Sequence, residues 1–162
     1  MRDFIQNCVG GSHVNRERPG SYSCIDVQHI HVKQGLQLVL VDCEPPEPIL
    51  FEFETDEAPF EFSFHLSGHT RYCVTHQKGK DRFNGSPGLN VAAAFSQSYA
   101  TMEVFDCAAI RMVAIQIEPC FFRQYFDAHK DFGLPDLMDL LQKERLPFYL
   151  RPSTMTPSMS IV

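Results

Sequence analysis

A chain of 162 residues with 44% apolar residues is the size of one folded domain able to bury a core of its own. It carries 20 acidic residues against 14 Lys and Arg, a net charge of −6, without a basic run, so the charge footprint of a nucleic-acid module is missing. No apolar run is long enough to span a bilayer, and "MRDFIQNCVGG" at the start has no secretory pattern, so a cytoplasmic protein with no membrane partner is expected. The six scattered cysteines form no C-x-x-C pair and read as free thiols used as small apolar residues.

Residues 1–24 show no clear period and hold "GG" and "RERPGS", which predicts an irregular arm. From Ile25 the pattern becomes that of strands. "IDVQHIHVK" and "LQLVLVD" flank Gly35, with Leu36, Leu38 and Leu40 on one face, and the prolines of "EPPEP" then exclude a central strand. "ILFEFE", "FEFSFHLS", "TRYCVTH", "LNVAAAF", "TMEVF" and "IRMVAIQI" continue the series, separated by Gly68, Lys78-Gly79, "NGSPG" and Ser96-Gln97-Ser98. Short strands at close spacing without helices between them predict an antiparallel barrel over 25–118. Pro119 then suits a first helical position, and Phe121, Phe122, Tyr125 and Phe126 recur at helical spacing up to Gly133. A second helix is expected through Leu134, Leu137, Met138 and Leu141, ending at Pro147. The predicted class is therefore α+β, mainly β, with a helical segment over 119–150. The stretch 151–162 reads as a linker, because Thr156-Pro157 looks like a helix start that the chain does not complete.

Three sites can be weighed from residue types. His29 and His31 would share a strand face, as a metal pair does, but Gly35 and Leu36 stand where a third ligand should follow, so no metal is expected. No G-x-S-x-G elbow, paired nucleophile and base, or phosphate loop is present, and no catalytic residue is assigned. The hairpin "FEFSFHLSGHTRYCVTH" is the third site. Its strand parity sets Glu61, Ser63 and His65 against Phe60, Phe62, Phe64 and Leu66, without deciding which face points inward. The expected role is the wall of a small-molecule pocket, with Phe62, Phe64, His65, Arg71, Tyr72, His76 and Gln116 as its contacts; Arg71 could meet an anion there, although an exposed arginine is the commoner state. Leu134, Leu137, Met138 and Leu141 form an apolar seam suited to dimerisation.

"FHLSG" at Phe64–Gly68, "SPGLNVAAAF", "KQGLQLVLVD", "IRMVAIQIEPCFFRQYF" and the closing "TMTPSM" together resemble the N-terminal half of AraC-type bacterial transcription regulators. The subgroup is the one that includes the pyochelin-siderophore regulator. The resemblance runs from about Ile25 to the end of the chain. It implies a cupin-like jelly-roll barrel without catalytic metal or other cofactor, which senses a small effector and dimerises through the helices that follow. DNA would be bound only by a C-terminal helix-turn-helix half absent from this chain. A small metal-dependent cupin enzyme, an isomerase or dioxygenase using His29 and His31, is the alternative from another class.

Overall fold

The computed structural model describes residues 13–15, 25–105, 107–128 and 148–156. In chain order the strands are β1 (His13–Asn15), β2 (Ile25–Lys33), β3 (Leu36–Cys43), β4 (Ile49–Ser67), β5 (Thr70–His76), β6 (Gly79–Gly85), β7 (Leu89–Val104) and β8 (Ile110–Ile117). Helix α1 (Pro119–Ala128) and strand β9 (Tyr149–Thr154) follow. All pairings are antiparallel.

Two long strands organise the molecule. β4 and β7 pair along both their halves, with a register shift between Glu57 and Phe60. Past that shift, β4 lies between β8 and β7, while its first half lies between β1 and β7. β7 likewise joins β9 in its first half and β5 in its second. Two walls result. One runs β2-β3-β8-β4-β7-β9, and the other runs β1-β4-β7-β5-β6, with β4 and β7 crossing from one to the other. A bulge of one residue on a strand increases local twist and bend, which is what such a crossing needs.

This arrangement corrects the expected barrel. Among the described residues the sheet stays open, because β2 and β6 are edges that pair on one side each. The walls are joined by continuous strands rather than by a closing ladder of hydrogen bonds. Three other expectations change as well. "ILFEFE" and "FEFSFHLS" are one strand, as are "LNVAAAF" and "TMEVF". β6 forms in "GKDRFNG", whose glycines read as turns but whose backbone pairs residue for residue with β5. Tyr149–Thr154, expected as the end of a helical segment and the start of a linker, is a strand along β7. There Pro152 is tolerated because an edge strand needs donors on one side only.

Of the two expected helices, α1 is described and begins at Pro119, where a missing N–H costs nothing. The second, with Leu134, Leu137, Met138 and Leu141, lies outside the described residues. α1 leaves β8 directly over the β2–β3 turn, and the Glu118 N–H donates to the Gly35 carbonyl at 2.8 Å. Gly35 sits at φ +77°, and a Cβ there would lie 2.7 Å from Phe121 Cβ, so the turn requires glycine for both backbone and space. No helix among the described residues is long and apolar enough to cross a membrane.

Candidate ligand-binding site

Between the walls lies a cavity of about 190 Å³. Alternation along the strands supplies its lining, since every second residue points inward. The first wall contributes Val39 and Val41 from β3, Val91 and Ala93 from β7, and Met112 and Ala114 from β8. The facing wall contributes Phe51 and Phe53 from β4, Ala100 and Met102 from β7, and Phe83 from β6. One end is packed shut by Cys43, Val104 and Ile110, with Ile25, Phe51 and Met112 against them. The lining is thus largely apolar, as small-molecule pockets are.

Six polar side chains face this space: Glu61, Ser63, His65, Tyr72, Ser98 and Gln116. Four of them form two pairs, His65 with Tyr72 and Glu61 with Gln116, one at each of two poles. At one, Tyr72 stacks on Phe83 with ring centroids 4.7 Å apart and meets His65 edge-on at 5.6 Å. The Tyr72 hydroxyl lies 3.5 Å from His65 Nε2 and donates to Met112 Sδ at 3.5 Å. His65 is 1% exposed, and burial alone pushes its pKa down to about 4, so the ring is neutral at pH 7. Burial pushes the Tyr72 phenol up, and the Glu61 carboxylate pushes it in the same direction. Gly85 makes this pole possible. A Cβ there would sit 2.6 Å from His65 Cε1 and overlap the Thr70 hydroxyl.

The second pole is four residues back along β4, about 13 Å at the rise of a strand. Gln116 is 2% exposed and donates from Nε2 to Glu61 Oε2 at 2.9 Å, while Gln37 Nε2 donates to Gln116 Oε1 at 2.6 Å. The register explains the contact, because Glu61 and Gln116 are directly paired across β4 and β8 and Gln37 and Gln116 across β3 and β8. Burial raises the Glu61 pKa, and the hydrogen bond from Gln116 opposes that rise. Gln116 also lines a second, outer pocket of about 630 Å³ beside Gly35, Glu118 and Pro119 at the start of α1. Ser98, 6% exposed, has a hydroxyl oxygen with no hydrogen-bond partner.

The sequence-predicted contacts divide. His65, Tyr72 and Gln116 come together in the cavity lining. Phe62 and Phe64 do not, because strand parity turns them to the opposite face of β4, where Phe62 packs on Phe60 at 5.0 Å and Phe60 on Tyr149 at 5.9 Å. Arg71 also lies away from the lining. It stands outside, paired with its cross-strand neighbour Glu103 at 2.8 Å and over the Phe105 ring. His76 stacks on Phe148 with centroids 3.8 Å apart and contacts Asp81 at 3.0 Å, at the far end of β5 and away from the lining. Glu61, Ser63 and Ser98 were missed. Parity already grouped Glu61 and Ser63 with His65, whereas nothing local marks Ser98. His29 and His31 differ in surroundings: His29 Nε2 is buried without a hydrogen-bond partner, while His31 is exposed on the rim of the outer pocket. Among the described residues no three His, Cys, Asp or Glu side chains gather as a metal-ligand set.

A family model described as the regulatory protein PchR N-terminal domain matches residues 20–162. The chain belongs to this family. It is therefore an N-terminal regulatory domain, as its sequence resemblance implied. Comparison with curated protein sequences gives no match. Among solved structures, the chain is similar to oxalate decarboxylase from Bacillus subtilis at 18% identity and TM-score 0.47, over 86% of this chain and 39% of that one. It is also similar to vicilin from Corylus avellana (hazelnut) at 11% identity and TM-score 0.47, over 86% of this chain and 47% of that one. Both likenesses are loose, and the chain spans less than half of either longer protein.

Proposed function

We propose that this domain is the effector-sensing half of an AraC-type transcription regulator. A small molecule enters the cavity between the two walls, and its occupancy controls DNA binding by a C-terminal helix-turn-helix domain. The observation that carries this reading is the cavity itself. Well-packed cores leave few voids larger than a water molecule, yet this one keeps about 190 Å³ and turns Glu61, His65, Tyr72, Ser98 and Gln116 toward it. An apolar void of about 150 Å³ accepts a benzene-sized guest, so the volume suits one compact molecule. Membership of the regulatory family supports a sensing role rather than an enzymatic one. Dimerisation through Leu134, Leu137, Met138 and Leu141 and a cytoplasmic location belong to the same proposal.

The test is a thermal-shift screen of small metabolites and siderophores on this chain and on Ala100→Leu, which fills the cavity from the second wall. A ligand that binds only the folded state raises Tm in proportion to the logarithm of its concentration well above Kd. The expected hit raises Tm in the presence of chelator and loses its effect in Ala100→Leu. Stabilisation that is unchanged in Ala100→Leu would place the effector outside the cavity and sink the reading.

A further inference from the structure

The chemistry of the lining narrows the guest. Among the described residues no Lys or Arg faces the cavity, and Arg71, the cation the sequence offered for an anion, is outside in its pair with Glu103. The one basic side chain in the lining, among the described residues, is His65, held neutral by burial. Among the described residues the one acidic side chain in the lining is Glu61, and a single side chain, Gln116, donates to it. A carboxyl group can accept at about four lone-pair sites, so Glu61 retains capacity for a donor that the described residues do not supply. Gln116 cannot swing away to admit an anion, because its amide oxygen is already engaged by Gln37, which fixes the amide nitrogen toward Glu61. Ser98, whose buried hydroxyl has no hydrogen-bond partner among the described residues, adds an unsatisfied polar group in the same cavity.

We propose, resting on the cavity as the effector site, that it takes a compact apolar amine whose nitrogen donates to Glu61 and whose hydrocarbon body lies against the valine, alanine and phenylalanine lining. An amine suits Glu61 in either protonation state, since the pair shares the same protons as an ammonium–carboxylate or as an amine–acid. A carboxylate of the same shape can be held only if the pair takes up a proton from solvent and shares it, because two carboxylates in one dry site cannot both ionise, and that uptake weakens its binding at pH 7. The cavity is therefore selective by charge sign as well as by size.

Benzylamine, toluene and benzoate share a ring and differ in the group that would meet Glu61. With the purified chain at pH 7, benzylamine is expected to bind about tenfold tighter than toluene, the step that one hydrogen bond to a charged group supplies, and benzoate is expected to give a smaller Tm shift than either, one that grows as the pH is lowered. Glu61→Gln should bring benzylamine down to the level of toluene, while Glu61→Asp, which keeps the charge, should retain the amine preference. Benzoate binding as well as benzylamine, or an amine preference that survives Glu61→Gln, overturns the inference and leaves the cavity standing. No Tm shift from any of the three overturns the cavity reading beneath it.

Discussion

The two faces of β4 beyond its bend carry opposite chemistry. Phe60, Phe62 and Phe64 point one way, with Phe60 1% exposed among other aromatic rings. Glu61, Ser63 and His65 point the other way, into the cavity. In a domain that buries one side of a sheet, the apolar face would be the inner one and the polar face would meet water. Here the aromatic face is the structural one, and the interior of the sandwich receives the polar side chains. Burial on both faces lets a strand hold its wall together with one and present chemistry with the other. The comparison separates what keeps the fold from what the cavity is for, and substitutions on each face should behave differently.

The largest effect belongs to the aromatic face. Phe60→Ala removes a fully buried ring and should cost about 3–5 kcal/mol, read as a fall in the urea midpoint. A loss below about 1 kcal/mol would mean that this face is not structural.

On the inner face, His65 should make stability acid-sensitive. Its pKa falls from 6.5 in the unfolded chain to about 4 in the folded one. Below pH 6.5 the unfolded chain therefore binds the proton first, and stability present above 6.5 is lost as pH falls toward 4. The slope approaches about 1.4 kcal/mol per pH unit. Denaturation series from pH 7 to 4 should show this loss in the parent relative to His65→Gln. Parallel profiles would remove the neutral buried ring from the account.

Glu61 has the opposite sign. Burial raises its folded pKa above the 4.5 of the unfolded chain. Between those values the folded state keeps a proton that the unfolded chain has released, so stability falls as pH rises through that window, again by up to about 1.4 kcal/mol per pH unit. Glu61→Gln lacks this loss and can still accept from Gln116. It should be more stable than the parent at pH 8 and lose that advantage at pH 4. A variant less stable at every pH would make Glu61 a structural residue.

Smallest is Arg71→Ala on the outer surface. An exposed ion pair contributes between about 0 and 1 kcal/mol, so stability should shift by no more than that. Ligand-induced Tm shifts should be unchanged. A lost shift would return Arg71 to the site.

Much of the sheet was legible because alternation is a local signal. β2, β5 and β8 have the bounds of "IDVQHIHVK", "TRYCVTH" and "IRMVAIQI". The misses came where pairing overrode local character. β6 is polar and glycine-bounded, and it forms because β5 offers it an edge. β7 misleads in another way. Its cavity residues are Val91 and Ala93 in the first half but Ser98, Ala100, Met102 and Val104 in the second, so the inward set changes parity across the bend. A period-2 reading of the whole strand would misplace half of it.

By itself, then, the sequence determined the mainly β class, most of the strands in their order, the family, and the division of β4 into an aromatic face and a polar one. These depend on residue spacing and type within short windows. Only the tertiary structure decided which of those faces looks inward, that Arg71 and His76 stay outside, and that β4 and β7 join two open walls instead of closing a barrel. It also brought Glu61 to Gln116, 55 residues away in sequence, and Gln116 to Gln37, 79 away. The physical reason is that a strand's two faces are equivalent to its own backbone. What makes one of them the interior is the second wall, and that wall is built from distant parts of the chain.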